Sequence, residues 1–225
     1  MSCVRFVFAL LLLNSASSCL LGPATFVRMG HYTDAPEDNL LGLTDKAALN
    51  EQEALGVARV ERHLLEEFEY PVNLSVGLLQ DLHRRAFGHL YDWAGRWRTQ
   101  VPNVGAYLPP PPHRVPQLLY EFIDELRHRQ SLLPEVPMDA HVAALLAYAH
   151  HRLVAIHPFV NGNGRTARLF TNLLAYNYGY QDVVLYQREN GAGRTEYLHA
   201  IRQADAYDLA PLQALISAQL RPLGA

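Results

Sequence analysis

Residues 157–168 read His-Pro-Phe-Val-Asn-Gly-Asn-Gly-Arg-Thr-Ala-Arg. A candidate proton acceptor, a glycine-rich turn and two arginines fall in one short stretch, and a helix-compatible run, 166–178, follows directly. Glycines just before a helix leave bare backbone N–H groups to point at an anion, and the helix dipole adds positive potential there. Arg165 and Arg168 stand three apart, so both can project from one helical face. Two guanidinium forks beside such a nest suit a polyphosphate. His157, on the loop just ahead, is placed to act as a general base. Each piece alone has an ordinary explanation: a turn, a solvated helix face, a structural histidine. Their coincidence carries the reading. The stretch is not a P-loop, since the Gly-Lys-Ser/Thr ending is missing. Nor is it a dinucleotide-binding turn, since no β-branched strand run precedes it.

The elements that must position this stretch read as helices. Thr44 or Asp45 can cap a helix to about residue 68, with Leu49, Leu55, Val57, Val60, Leu64 and Leu65 as its apolar positions and Pro71 beyond its end. Residues 74–87 form a second helix, closed by Gly88. Residues 96–108 lack helical period and hold several β-formers, which predicts a short hairpin. Further helices are expected from His113 or Pro116 to 130, over 139–155 (the strongest amphipathic pattern), 165–178, 195–205 and 209–220. The fold class is therefore mainly α with one small β element.

The length of 225 residues suits one domain with a short extension, and 49% hydrophobic content supplies a core. A net charge of −3 argues against a broad nucleic-acid or anionic-membrane surface. The only cysteines are Cys3 and Cys19, so the region beyond them holds no disulfide framework, zinc finger or cysteine nucleophile. Residues 1–28 admit two readings. Arg5, the apolar run 6–13 and the small polar run 14–19 have the shape of a secretory signal, too short for a membrane span. Alternatively the start is misplaced and the protein begins at Met29. His150 and His151 are adjacent on a helix and point roughly 100° apart, so they cannot chelate one metal together. Tyr91, Trp93 and Trp97 read as packing residues.

The 157–168 stretch resembles the signature of the Fic (Fido) family, His-Pro-Phe-x-Asp/Glu-Gly-Asn-Gly-Arg-x-x-Arg, and departs from it at Asn161. Residues 83–99 carry a similar Phe87-Gly88, Tyr91-x-Trp93-Ala94-Gly95 and Arg98-Thr99 pattern. Residues 39–45, Asn-Leu-Leu-Gly-Leu-Thr-Asp, resemble the family's entry segment. The resemblance covers about residues 32–220, a Fic domain. It implies a helical fold with a β-hairpin flap near the active site, and transfer of AMP from ATP to a hydroxyl of a target protein, with pyrophosphate released. On that pattern His157 deprotonates the target hydroxyl. Gly162, Asn163 and Gly164 form the anion hole, and Arg165 and Arg168 hold the outer phosphates. Val104, Gly105, Ala106 and Tyr107 lie in the flap that pins the target segment by backbone pairing. Tyr197 and Asp205 fall near the adenine-side positions.

Asn161 stands where the family has a magnesium-binding carboxylate, and magnesium prefers anionic oxygen. The departure implies a slower AMP transferase, a transferase using another phosphate-containing donor, or a module that binds nucleotide or a partner without turnover. Many Fic proteins also carry Ser/Thr-x-x-x-Glu-Gly/Asn on an inhibitory helix. The nearest stretch, 33–38, contains Pro36 and ends in Asp38. Restraint is then expected from a separate antitoxin-like chain, or is lacking. The expected partners are a protein substrate and that inhibitor, not nucleic acid. The expected location is the cytoplasm, or outside it if residues 1–19 are a signal.

Overall fold

The computed structural model describes residues 38–104, 107–185 and 192–224. The expectations for residues 1–28, and for Gly105 and Ala106, lie outside the described residues. The architecture is helical: α1 (Lys46–Glu66), α2 (Val76–Phe87), a 3-10 turn (Pro112–Arg114), α3 (Val115–Ser131), α4 (Asp139–Ile156), α5 (Asn163–Asn177), α6 (Ala192–Asp205) and α7 (Ala210–Ser217). No described helix is long and apolar enough to cross a membrane.

Asp45 is the cap of α1, its carboxylate accepting from the Ala48 N–H at 2.8 Å. The buried face of α1 is Leu49, Glu53, Gly56, Val60 and Leu64. Leu55 and Leu65, expected on the core face, are 50% and 57% exposed because they lie one residue off that stripe. Gly56 is the point of closest approach to α2, where a Cβ would stand 2.0 Å from the Ala86 carbonyl oxygen. The second helix starts at Val76, two residues later than expected, because the Ser75 hydroxyl caps it through Leu78 N–H.

The centre of the molecule is the pair α4 and α5. Helix α4 packs on α3, α5, α6 and α7. Its pattern looked amphipathic, but contact on so many sides buries Ala147 and His150 as well as Leu145 and Leu146. Helix α5 is buried at every position from Leu169 to Tyr176. It begins at Asn163 rather than Arg165, because Gly162 turns the chain at φ 75° immediately before it.

The expected hairpin over 96–108 is not found as strands among the described residues. One antiparallel bridge, Val104 to Tyr107, stands in its place. The backbone around it is fixed by side chains: the Tyr107 hydroxyl donates to the Ala155 carbonyl at 2.9 Å, and Arg98 holds its base.

Candidate active site

His157 is the C-cap of α4 and sits in left-handed conformation, φ 51° and ψ 60°. For a residue with a Cβ this costs on the order of 1 kcal/mol, so the surroundings must enforce it. Arg98 does so. Its guanidinium is buried, and its Nε donates to the His157 carbonyl at 2.6 Å. The same group reaches the carbonyls of Gln100, Pro110 and Ile156 at 2.9, 2.6 and 3.4 Å, and the Arg98 N–H donates to Pro158 O at 2.9 Å. One planar fork thus ties both legs of the flap segment to the end of α4. Burial holds the Arg98 guanidinium below its ordinary value.

The His157 ring donates from Nδ1 to the Val154 carbonyl at 3.3 Å. That proton fixes the tautomer and leaves the Nε2 lone pair as acceptor. Burial brings the imidazolium down to about 4, with Arg98 adding to the shift against the Val154 bond. The ring is neutral near pH 7, as a proton acceptor must be.

The loop after it is built from its own side chains. The Asn163 amide clamps Phe159 twice, accepting from its N–H at 2.8 Å and donating to its carbonyl at 2.9 Å. Phe159 is fully buried and stacks on His83 at 3.8 Å between centroids. His83 accepts the Gly95 N–H on Nδ1, so Nε2 carries the proton and donates to the Asn161 carbonyl at 3.0 Å. Burial pushes His83 down to about 4, and it holds the loop as a neutral donor. Gly162 has a positive φ, and a Cβ there would meet the Phe87 ring at 2.6 Å.

Helix α5 opens directly onto this loop. Its first bond runs from Thr166 N–H to Gly162 O at 2.9 Å. The N–H groups of Asn163, Gly164 and Arg165 are left without intrahelical acceptors. Gly164 is open: a Cβ there would find only Arg168 Nη1, at 3.8 Å. The Arg168 guanidinium therefore lies beside the first turn of α5. Arg165 takes another direction. It forms a bidentate pair with Glu53 of α1 at 2.7 and 3.2 Å and covers the Phe87 ring at 4.6 Å. Tyr91 donates to the same Glu53 carboxylate at 3.0 Å. Arg165 is thus engaged by a buried carboxylate.

Asn161 Oδ1 accepts the Gly162 N–H at 2.7 Å and faces Arg165 Nη2 at 3.5 Å. Tyr197 is buried, and its hydroxyl lies 2.9 Å from His150 Nε2. His150 lies between Tyr197 and Thr171, whose hydroxyl donates to Ala167 O, so His150 donates from Nδ1 and accepts from Tyr197. Asp205 pairs with His151 at 2.8 Å. Val104 and Tyr107 form the bridge described above.

Glu53 escaped the motif reading altogether, and His83 and Arg98, though inside the 83–99 pattern, were given no role there. Glu53 had a usable signal, a carboxylate at a core position of the α1 stripe. Arg98→Met is expected to lower stability by roughly 3 kcal/mol, because several buried carbonyls lose their donor. Arg98→Lys should recover only part of it, since an ammonium cannot fork. Urea unfolding of both variants against wild type is the check, and a loss under roughly 1 kcal/mol in Arg98→Met would contradict the staple.

Residues 73–175 match the Fic/DOC family. This chain carries a Fic domain. It is 30% identical over 179 residues to protein adenylyltransferase Fic of Drosophila grimshawi, covering 79% of this chain and 35% of that protein. The Drosophila melanogaster protein of the same name is 29% identical over 178 residues, covering 79% and 34%. The chain thus spans about a third of the length of the curated relatives it matches. Among solved structures, the fold is similar to that of BepC from Bartonella tribocorum with bound AMPPNP, with TM-score 0.69 and 20% identity over 86% of this chain and 96% of that one. Fic-1 from C. elegans (aa134 - 508) gives TM-score 0.62 at 26% identity, covering 79% of this chain and 50% of that one. The Fic domain is a helical bundle in which α4 and α5 carry the signature between them.

Proposed function

We propose that this Fic domain transfers AMP from ATP to a hydroxyl side chain of a target protein. The observation that carries the reading is His157, held neutral with Nδ1 committed to Val154 and Nε2 left to accept a proton. In the proposed step Nε2 takes the hydroxyl proton and the hydroxyl oxygen attacks the α-phosphorus. The bond from that phosphorus to the bridging oxygen breaks, and pyrophosphate leaves. The N–H groups opening α5 and Arg168 receive the phosphate charge, so the domain contributes position and preorganised positive potential. The relatives named as adenylyltransferases support the choice of donor and group transferred.

The resemblance places magnesium at Asn161, and the donor set there does not fit it. The side-chain oxygen is neutral, accepts the Gly162 N–H and faces an Arg165 guanidinium nitrogen, and the other amide atom is an N–H donor. No step of this reading passes through the metal. The same departure supports the second reading, a domain that binds nucleotide without turnover. The target segment docks along the Val104–Tyr107 flap, and a separate antitoxin-like chain restrains the domain.

Incubation with labelled ATP and a cell lysate separates the two readings: labelled protein bands support transfer, and ATP binding without them supports the second. Arg168→Ala is expected to weaken ATP by about 1.5–3 kcal/mol and AMP by less, since the guanidinium meets the outer phosphates. Calorimetry with both nucleotides reads this, and equal losses would move Arg168 away from the outer phosphates. Arg165→Ala should instead destabilise the fold, because it leaves the buried Glu53 carboxylate without its charge partner.

A further inference from the structure

The geometry points to Asn161 as a direct phosphate donor: its side-chain Nδ2 hydrogen-bonds the bound nucleotide where relatives place a metal-binding carboxylate. The inference rests on the phosphate nest proposed above and deepens it.

The orientation of the amide is decided by its neighbours. Oδ1 stands 2.7 Å from the Gly162 N–H and 3.5 Å from an Arg165 guanidinium nitrogen. Both are obligate donors, so the oxygen must face them and the NH₂ group must face away. Nδ2 has no protein acceptor among the described residues, and Asn161 is only half-buried. The backbone allows little rearrangement, because His83 fixes the Asn161 carbonyl at 3.0 Å and Gly162 is pinned under Phe87.

A carboxylate at this position could keep one oxygen on Gly162 and present the other to a cation. Asparagine keeps the first contact and replaces the second oxygen with two N–H donors. The exposed end of residue 161 thus changes from a group that needs a cation between itself and phosphate to one that binds phosphate oxygen directly. It lies one residue before the Gly162 cap, beside the unpaired N–H groups of Asn163, Gly164 and Arg165 and the Arg168 guanidinium. Residue 161 then adds a donor to the N–H groups and the guanidinium already placed there. ATP binding by this chain should be largely independent of magnesium.

The test is calorimetric ATP binding by the full chain, in excess Mg²⁺ and in EDTA, for wild type, Asn161→Asp and Asn161→Ala. Wild type should change less than about threefold on chelation. Asn161→Asp, which preserves the Gly162 contact, should lose at least about tenfold on chelation, because a carboxylate repels uncompensated phosphate. Asn161→Ala should bind ATP roughly tenfold more weakly than wild type in EDTA, with thermal melts showing that it is folded. A wild type that loses about tenfold or more on chelation, as the Asp variant does, would overturn the inference in favour of a metal ligand. So would an Ala variant that binds metal-free ATP as tightly as wild type. Failure of wild type to bind ATP in either buffer would instead overturn the nucleotide site itself, and this inference with it.

Discussion

Replacing His157 by alanine is expected to reduce AMP transfer by about 10²–10⁴-fold while ATP affinity stays unchanged. The separation follows from the architecture. The proton acceptor ends α4, whereas the phosphate groups face the first turn of α5. The pH profile gives a second reading of the same residue. An ordinary histidine base would lose activity as pH falls through about 6.5. Burial brings the His157 imidazolium down to about 4, so its base form persists well below that. The rate should show no inflection between about pH 7 and about pH 6, and its acid limit should coincide with unfolding. An inflection near 6.5 that disappears in the His157 variant would contradict the assigned environment.

The unfolding that sets this limit is itself expected to be steep. His83 and His150 are fully buried and lie at about 4 and about 3, driven by desolvation. The native state therefore binds fewer protons than the unfolded chain below about 6.5. The stability these two histidines contribute is complete above that pH and is lost as pH falls toward their folded values. Each contributes about 1.4 kcal/mol per pH unit in this window, so the pair amounts to roughly 3 kcal/mol per unit. Against a total of about 5–15 kcal/mol this is decisive. Urea midpoints at pH 7, 6 and 5 should drop progressively, with uptake of about three protons on unfolding near pH 5, since His157 titrates with His83 and His150. His150→Gln should remove one of them. Midpoints that do not move between pH 7 and pH 5 would contradict the buried, neutral histidines.

What was legible in the sequence was contiguous. Residues 157–168 showed the base, the turn and the arginines because all lie in one loop and one helix start. Most helices were legible from their apolar periodicity and length, and Asp45 announced its own helix by capping it. The supports were not legible, because they act across the chain. Arg165 and its Glu53 partner are 112 positions apart, and His83 reaches Asn161 across 78. No local spacing reports such pairs. The same cause hid the partner of Arg165: residue types three apart suggested a shared face but could not show the buried Glu53 carboxylate that one of them pairs with. Tyr197 was placed by pattern alone, and the buried polar chain of Thr171, His150 and Tyr197 gave it a structural partner. Of the hairpin expected over 96–108, the described residues show one antiparallel bridge, Val104 to Tyr107. Side-chain bonds from Arg98 and Tyr107 also hold that backbone, and no local pattern announces them.

The central claim is that this domain moves the α-phosphoryl group with its nucleoside, using His157. The most direct measurement compares ATP labelled at the α-phosphate with ATP labelled at the γ-phosphate, in parallel incubations with lysate, for wild type and His157→Ala. The account predicts that wild type transfers the α-label to protein, leaves the γ-label in pyrophosphate, and loses the α-signal in the variant. Protein labelled from the γ-phosphate, or α-labelling that survives loss of His157, would contradict it.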